Sequence, residues 1–211
     1  MQIVVGIATF KGREQYLKRT IESLQGQCHK IVIYDNEINP DITDNGKFYG
    51  LKGLKKPCYY FTCDDDILYP SDYVAKSIAA IEKYKCIITY HGRILNGYGM
   101  NYYRNHKSFR CLNRVTSDFL LDVCGTGVTA FRTDYFNPKE LYSAPQKKMS
   151  DIVFSLEAIK QGKKIMMVNH TENWIKDQRV PTNQTIHGTE SMKCEKQTEL
   201  ANEIWKLKQK K

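Results

Sequence analysis

No run in this 211-residue sequence approaches the roughly 20 consecutive apolar residues needed to cross a bilayer, so no transmembrane helix is expected. The opening MQIVVGIATF has neither a positively charged leader nor a small-residue cleavage site, which predicts a soluble, uncleaved chain. Seven cysteines are scattered, odd in number and never spaced C-x-x-C, which argues against a disulfide framework and a cysteine-type zinc site. Reduced thiols and a cytoplasmic location follow. Neither G-x-G-x-x-G nor G-x-x-x-x-G-K-[ST] follows the first apolar run, so neither an NAD-type dinucleotide site nor a P-loop is supported. Internal repeats and low-complexity tracts are also missing.

What is present is a composition 41% hydrophobic, enough for one sizeable core and for a single domain over 1–211. The net charge of +9 fits a nucleic acid, an anionic surface or an anionic small substrate. The lysines are dispersed and gather only at Lys206, Lys208, Lys210 and Lys211, the pattern of a solvated surface.

Ile3 to Ala8 reads as a buried strand, and Tyr16, Leu17, Thr20, Ile21 and Leu24 then fall on one helical face that Gly26 closes. Lys30 to Tyr34 is the next strand, completing the strand–helix–strand unit of parallel sheets. An irregular, turn-rich stretch from Glu37 to Pro57 precedes a strand over Tyr59 to Thr62. A helix with Ser71 as N-cap and Val74, Ile78 and Ile81 inward leads to a fourth strand, Cys86 to Tyr90. Asn96 to Arg110 reads as a hairpin or loop. Phe119 to Val123 and Val128 to Phe131 read as strands around Gly125-Thr126-Gly127. A helix over Asp151 to Gln161, a strand over Lys164 to Val168 and a C-terminal helix over Glu190 to Lys208 complete the reading. The expected architecture is α/β, Rossmann-like, with a mostly parallel central sheet flanked by helices.

Parallel sheets bind ligands at the carboxyl ends of their strands, here Thr9, Asp35-Asn36 and Asp64-Asp65-Asp66. Three adjacent carboxylates form a hard-oxygen cluster suited to Mg²⁺ or Mn²⁺, which binds one or two carboxylates together with substrate phosphates. The alternative is an acidic helix N-terminus, with Asp72 in the first turn and the triplet just upstream. A Mg²⁺-dependent phosphohydrolase is a further alternative, but it wants a nucleophilic aspartate after the first strand, where Thr9-Phe10-Lys11 stands.

The segments VVGIATFKGREQYLKRTIESL, IVIYDN, DNGKFYG, YYFTCDDDILYP, ITYHGR, CGTGVTAF and MSDIVFSLEAIKQGKKI, in this order, resemble the GT-A fold glycosyltransferases that use nucleotide-sugar donors, particularly the family 2-like branch. The short basic chain is also similar to the N-terminal domain of chlorovirus glycosyltransferases of the capsid-glycan type. The resemblance implies a nucleotide-sugar-binding half over 1–95 and a smaller acceptor-side half over 96–211, as one module of a longer chain if further domains accompany it. It implies a DXD-type motif in which Asp66, with Asp64, ligates Mn²⁺ or Mg²⁺, while Asp64 and Asp65 face ribose or bound water. Thr9 and Arg13 would line the nucleotide, Asp35 and Asn36 the uracil, and Lys47 the base or phosphate. His170, with His187 in reserve, would be a late metal ligand, and Asp151 the base that activates the acceptor. The implied reaction is transfer of a sugar from a UDP-sugar to a hydroxyl of a glycan or glycoprotein, with inversion if Asp151 acts from the opposite face and retention left open.

A rival class is a nucleic-acid or polyanion binding module in which Tyr98, Tyr102 and Tyr103, interleaved with Arg104 and Arg110, stack on bases. The acidic strand end opposes it, because bare carboxylates repel phosphates.

Overall fold

The structure is a computed structural model that describes residues 1–99, 101–104, 106–181 and 194–210. Its centre is a seven-stranded sheet built from β1 (Gln2–Thr9), β2 (Lys30–Asp35), β3 (Cys58–Cys63), β5 (Ile87–Thr89), β8 (Phe119–Leu121), β10 (Val128–Arg132) and β11 (Ile165–Met167). The strand order is β2-β1-β3-β10-β5-β11-β8. β2, β1, β3, β5 and β11 run one way and β10 and β8 the other, a mixed, mostly parallel sheet. Helices α1 (Glu14–Leu24), α2 (Tyr73–Tyr84) and α3 (Ser150–Lys160) flank it, and α4 (Glu195–Gln209) packs on α3.

The central strands are apolar on both faces, as strands covered on both sides must be. Side chains alternate between two cores: Val5, Phe61, Ile88 and Ala130 meet α1 and α2, while Val4, Tyr60, Ile87 and Phe131 meet α3 and a 3₁₀ segment, Thr43–Leu51. A third cluster joins Ile152, Leu156 and Ile159 of α3 to Leu200, Ala201 and Ile204 of α4.

Several elements depart from expectation. The first half does not make a sheet of its own, because β10, from the second half, inserts antiparallel between β3 and β5. The stretch expected as one strand from Phe119 to Val123 breaks at Asp122 into β8 and β9 (Val123–Cys124), which belong to different sheets. The Asp122 carboxylate accepts the Leu95 amide at 2.8 Å, holding the break. Asn96 to Arg110 is closed by a hairpin in which β6 (Gly92–Leu95) pairs with β7 (His106–Phe109). The N-cap of α2 is Asp72 rather than Ser71, and its carboxylate accepts the Trp174 indole N–H at 3.0 Å instead of capping the helix. The segment from Glu37 to Pro57, irregular in sequence, contains the buried 3₁₀ segment that carries Lys47. Two short strands, β4 (Ile67–Leu68) and β12 (Lys176–Asp177), pair beside the acidic triplet. Among the described residues, no helix is long and apolar enough to cross a membrane.

Candidate functional site

The sheet's register assembles the site. Thr9 pairs with Asp35 and Ile7 with Cys63, so the ends of β1, β2 and β3 lie side by side and the triplet leaves the sheet level with Thr9. Because β10 runs against β3, its first residue, Val128, faces Cys63, and the Gly125-Thr126-Gly127 turn before it lands on the triplet. The Asp64 amide donates to the Gly127 carbonyl at 3.3 Å. A Cβ on Gly127 would stand 1.9 Å from Asp64 Oδ2, so a larger residue would displace that carboxylate from its place beside Lys47.

Each acid of the triplet has a different partner. The Lys47 ammonium pairs with Asp64, whose side chain is 38% exposed. Asp65 is turned inward: Thr9 donates its hydroxyl to Oδ2 at 2.8 Å, and Arg13 Nη2 lies 3.1 Å from Oδ1. Arg13 Nη2 also donates to Asp66 Oδ2 at 3.1 Å. The Arg13 Nε and Nη1 atoms are buried without a hydrogen-bond partner. Burial pushes the Asp65 carboxyl up to about 7 against the pull of Arg13. Burial and the neighbouring Asp64 charge raise Asp66 as well. Lys47 is buried, which opposes its charge, yet Asp64, Asp44 and Asp151 outweigh that and raise its pKa.

The chain continues to Asp151 without a gap. Lys47 Nζ lies 3.4 Å from Thr126 Oγ1, and Thr126 donates both its amide and its hydroxyl to Asp151 Oδ1 at 2.7 Å. Arg93 Nη1 stands 3.9 Å from Asp151 Oδ2 and donates to the Tyr102 hydroxyl at 2.6 Å. Burial alone would raise the Asp151 pKa, but Arg93, Lys47 and the Thr126 bonds hold it below the usual carboxylate value. Asp151 is therefore an ionised, positioned carboxylate at the first turn of α3.

Thr9, Arg13, Lys47, Asp64, Asp65, Asp66 and Asp151 thus form one cluster. Asp35 accepts the Glu37 amide at 2.8 Å and lines a groove of about 490 Å³ with Thr9, Phe10, Lys11, Leu17 and Ile38. Asn36 is occupied as a brace, its amide donating to the Thr9 and Thr43 carbonyls and its oxygen accepting the Ile42 amide. His170 is not brought into a ligand set with the triplet. It is 3% exposed, its Nδ1 lies 2.8 Å from the Val168 carbonyl, and its ring packs on Tyr90 and Trp174. His187 lies outside the described residues. Among the described residues, no three His, Cys, Asp or Glu side chains converge as a metal site. A divalent ion would take Asp64 and Asp66, the two partly exposed acids, and complete its shell with substrate oxygens, the usual pattern for Mg²⁺. That donor chemistry fits.

Thr126, Arg93 and Asp44 were missed in the sequence. The turn Gly125-Thr126-Gly127 was visible, but its long-range placement was not. The tyrosines expected to stack on bases are mostly committed within the chain: Tyr102 is 4% exposed and bonded to Arg93, Tyr103 packs on it, and Tyr98 lies under Lys206.

The raised Asp65 has a pH consequence. Its folded pKa exceeds the ordinary value of 3.8, so the folded state binds the extra proton and is favoured most below about pH 4. That contribution, on the order of 3–4 kcal/mol, is lost as pH rises through about 7. Urea midpoints measured in chelator at pH 5 and pH 8 should therefore move in favour of Asp65→Asn at the higher pH. Parallel midpoints in the two proteins would refute the assignment.

No family model matches the chain, and no curated protein matches it. Matches among solved structures include the crystal structure of A197 from STIV, similar at 14% identity over 83% of this chain and 84% of that chain, with a TM-score of 0.42.

Proposed function

We propose that this chain is a metal-dependent glycosyltransferase of the GT-A type, moving a sugar from a nucleotide diphosphate donor, uridine the favoured base, to a glycan hydroxyl. One observation carries the reading: a strand-end acidic triplet flanked by two buried cations is joined through Thr126 to an ionised carboxylate at a helix start. Arg13 and Lys47 supply positive charge for a diphosphate on either side of the acids. Asp64 and Asp66 would hold the divalent cation, which would supply Lewis-acid neutralisation of the leaving diphosphate. Asp65 is not a ligand in this scheme but orients Thr9 and Arg13. Thr126 fixes one oxygen of Asp151, and the carboxylate takes the proton of the acceptor hydroxyl.

Calorimetric titration of uridine diphosphate with Mn²⁺ and with chelator tests the donor half; binding only with Mn²⁺ is expected. Asp151→Asn tests the acceptor half, because the amide keeps the shape but cannot accept a proton. Transfer should fall by roughly 10²–10⁴-fold, the usual worth of a general base. The dissociation constant for the nucleotide should stay within about threefold, less than 1 kcal/mol. A parallel weakening of nucleotide binding would make Asp151 a donor contact instead.

A further inference from the structure

Asp44 is a buried carboxylate, 8% exposed, that touches none of the groups assigned to the donor or the acceptor. It lies in the first turn of the 3₁₀ segment that carries Lys47, yet its oxygens serve a distant part of the chain. Asp44 Oδ1 accepts the Lys148 amide at 2.9 Å and Oδ2 accepts the Ser150 amide at 2.9 Å. Thr43 donates its hydroxyl to Asp44 Oδ1 at 2.9 Å and accepts the Lys148 amide at 3.0 Å. Asn45 adds two bonds from its amide to the Ala144 and Gln146 carbonyls.

Helix α3 has no side-chain cap of its own, its N-cap position being Met149. A carboxylate at a helix start satisfies free amides and complements the dipole, and here it comes from a residue 106 positions earlier. The junction holds two non-glycine residues in left-handed backbone, Thr43 at φ 55° and Lys148 at φ 60°. Such conformations are costly and persist where surrounding bonds over-determine them. The first turn so fixed contains Ser150, whose hydroxyl lies 2.8 Å from Thr126 Oγ1, and Asp151. Three residues beyond Asp44, Lys47 grips Asp64. One short segment therefore holds both ends of the site.

We infer that Asp44 is a positioning residue that sets the spacing between the Lys47–Asp64 pair and the Asp151 base. The inference rests on the glycosyltransferase reading and deepens it. Asp44→Asn keeps one oxygen acceptor but turns an N–H₂ toward an amide, and Asp44→Ala removes both acceptors. Asp44→Ala should lower transfer about a hundredfold, the loss expected from roughly 1 Å of misplacement, and Asp44→Asn should recover part of it. Uridine diphosphate–Mn²⁺ affinity should hold within about threefold in Asp44→Asn, less than 1 kcal/mol. Amide hydrogen exchange over 148–154, measured without nucleotide, should accelerate in the same variant. If Asp44→Ala does not fold, Asp44→Asn carries the test alone. Unchanged exchange, or transfer and affinity falling together, would overturn the inference. A wild-type protein that binds no uridine diphosphate with Mn²⁺ would instead refute the glycosyltransferase reading, and exchange would then support or overturn the clamp by itself.

Discussion

Replacing Asp66 by alanine is expected to abolish Mn²⁺-dependent binding of uridine diphosphate while leaving the metal-free protein as stable as the wild type or more so. The two halves of this expectation have separate causes. Asp66 supplies one of only two partly exposed carboxylates in the triplet, so its loss removes half of the protein's donor set. Groups that merely orient metal ligands are worth roughly 10–100-fold in affinity, and loss of a ligand should exceed that. Stability responds differently because burial and the Asp64 charge disfavour an ionised Asp66. Removing it relieves repulsion, and Arg13 keeps Asp65 at 3.1 Å. Asp64→Ala would be a poorer test, since it strands the buried Lys47 ammonium without its closest partner. Calorimetry with Mn²⁺ and a thermal scan in chelator measure the two effects independently. Wild-type nucleotide affinity in Asp66→Ala at saturating Mn²⁺ would remove the metal from the proposal.

A second large effect is expected at Gly6, in the middle of β1. A Cβ at this position of β1 would lie 2.0 Å from the Lys47 carbonyl oxygen and 2.4 Å from the Tyr60 hydroxyl. Those groups are bonded to one another at 2.7 Å, and Tyr60 is fully buried. Backbone and a buried ring have nowhere to retreat, so Gly6→Ala should cost about 3 kcal/mol or more. The displaced segment also carries Asp44 and Lys47, so any folded remainder should bind uridine diphosphate poorly. A urea midpoint equal to that of the wild type would show that the strand and the 3₁₀ segment do not meet as described.

Asp66 and Gly6 illustrate different kinds of legibility. The acidic triplet stood out because a strand ending in three carboxylates is a local pattern, and local periodicity also marked β1, α1, β2, β3 and α3 to within a few residues, while the start expected for the C-terminal helix at Glu190 lies outside the described residues. Gly6 looked like one more residue of an apolar run. What makes it indispensable is a carbonyl more than 40 positions away, and no period of 2 or 3.6 carries that information.

The sequence by itself therefore determined that the chain is α/β, that its first strand is buried, and that polar residues collect where the first strands end. It did so because burial imposes a repeat on each element separately. Only the tertiary structure decided that β10 enters between β3 and β5, bringing Thr126 and Gly127 to Asp64. The same level decided that Asp44 reaches α3, that Asn36 braces backbone, and that His170 packs against Tyr90 and Trp174. The β10–β3 pairing and the Asp44–α3 clamp join residues roughly 60 to 110 positions apart, where many partners are compatible with the same local pattern and packing of the whole core selects among them.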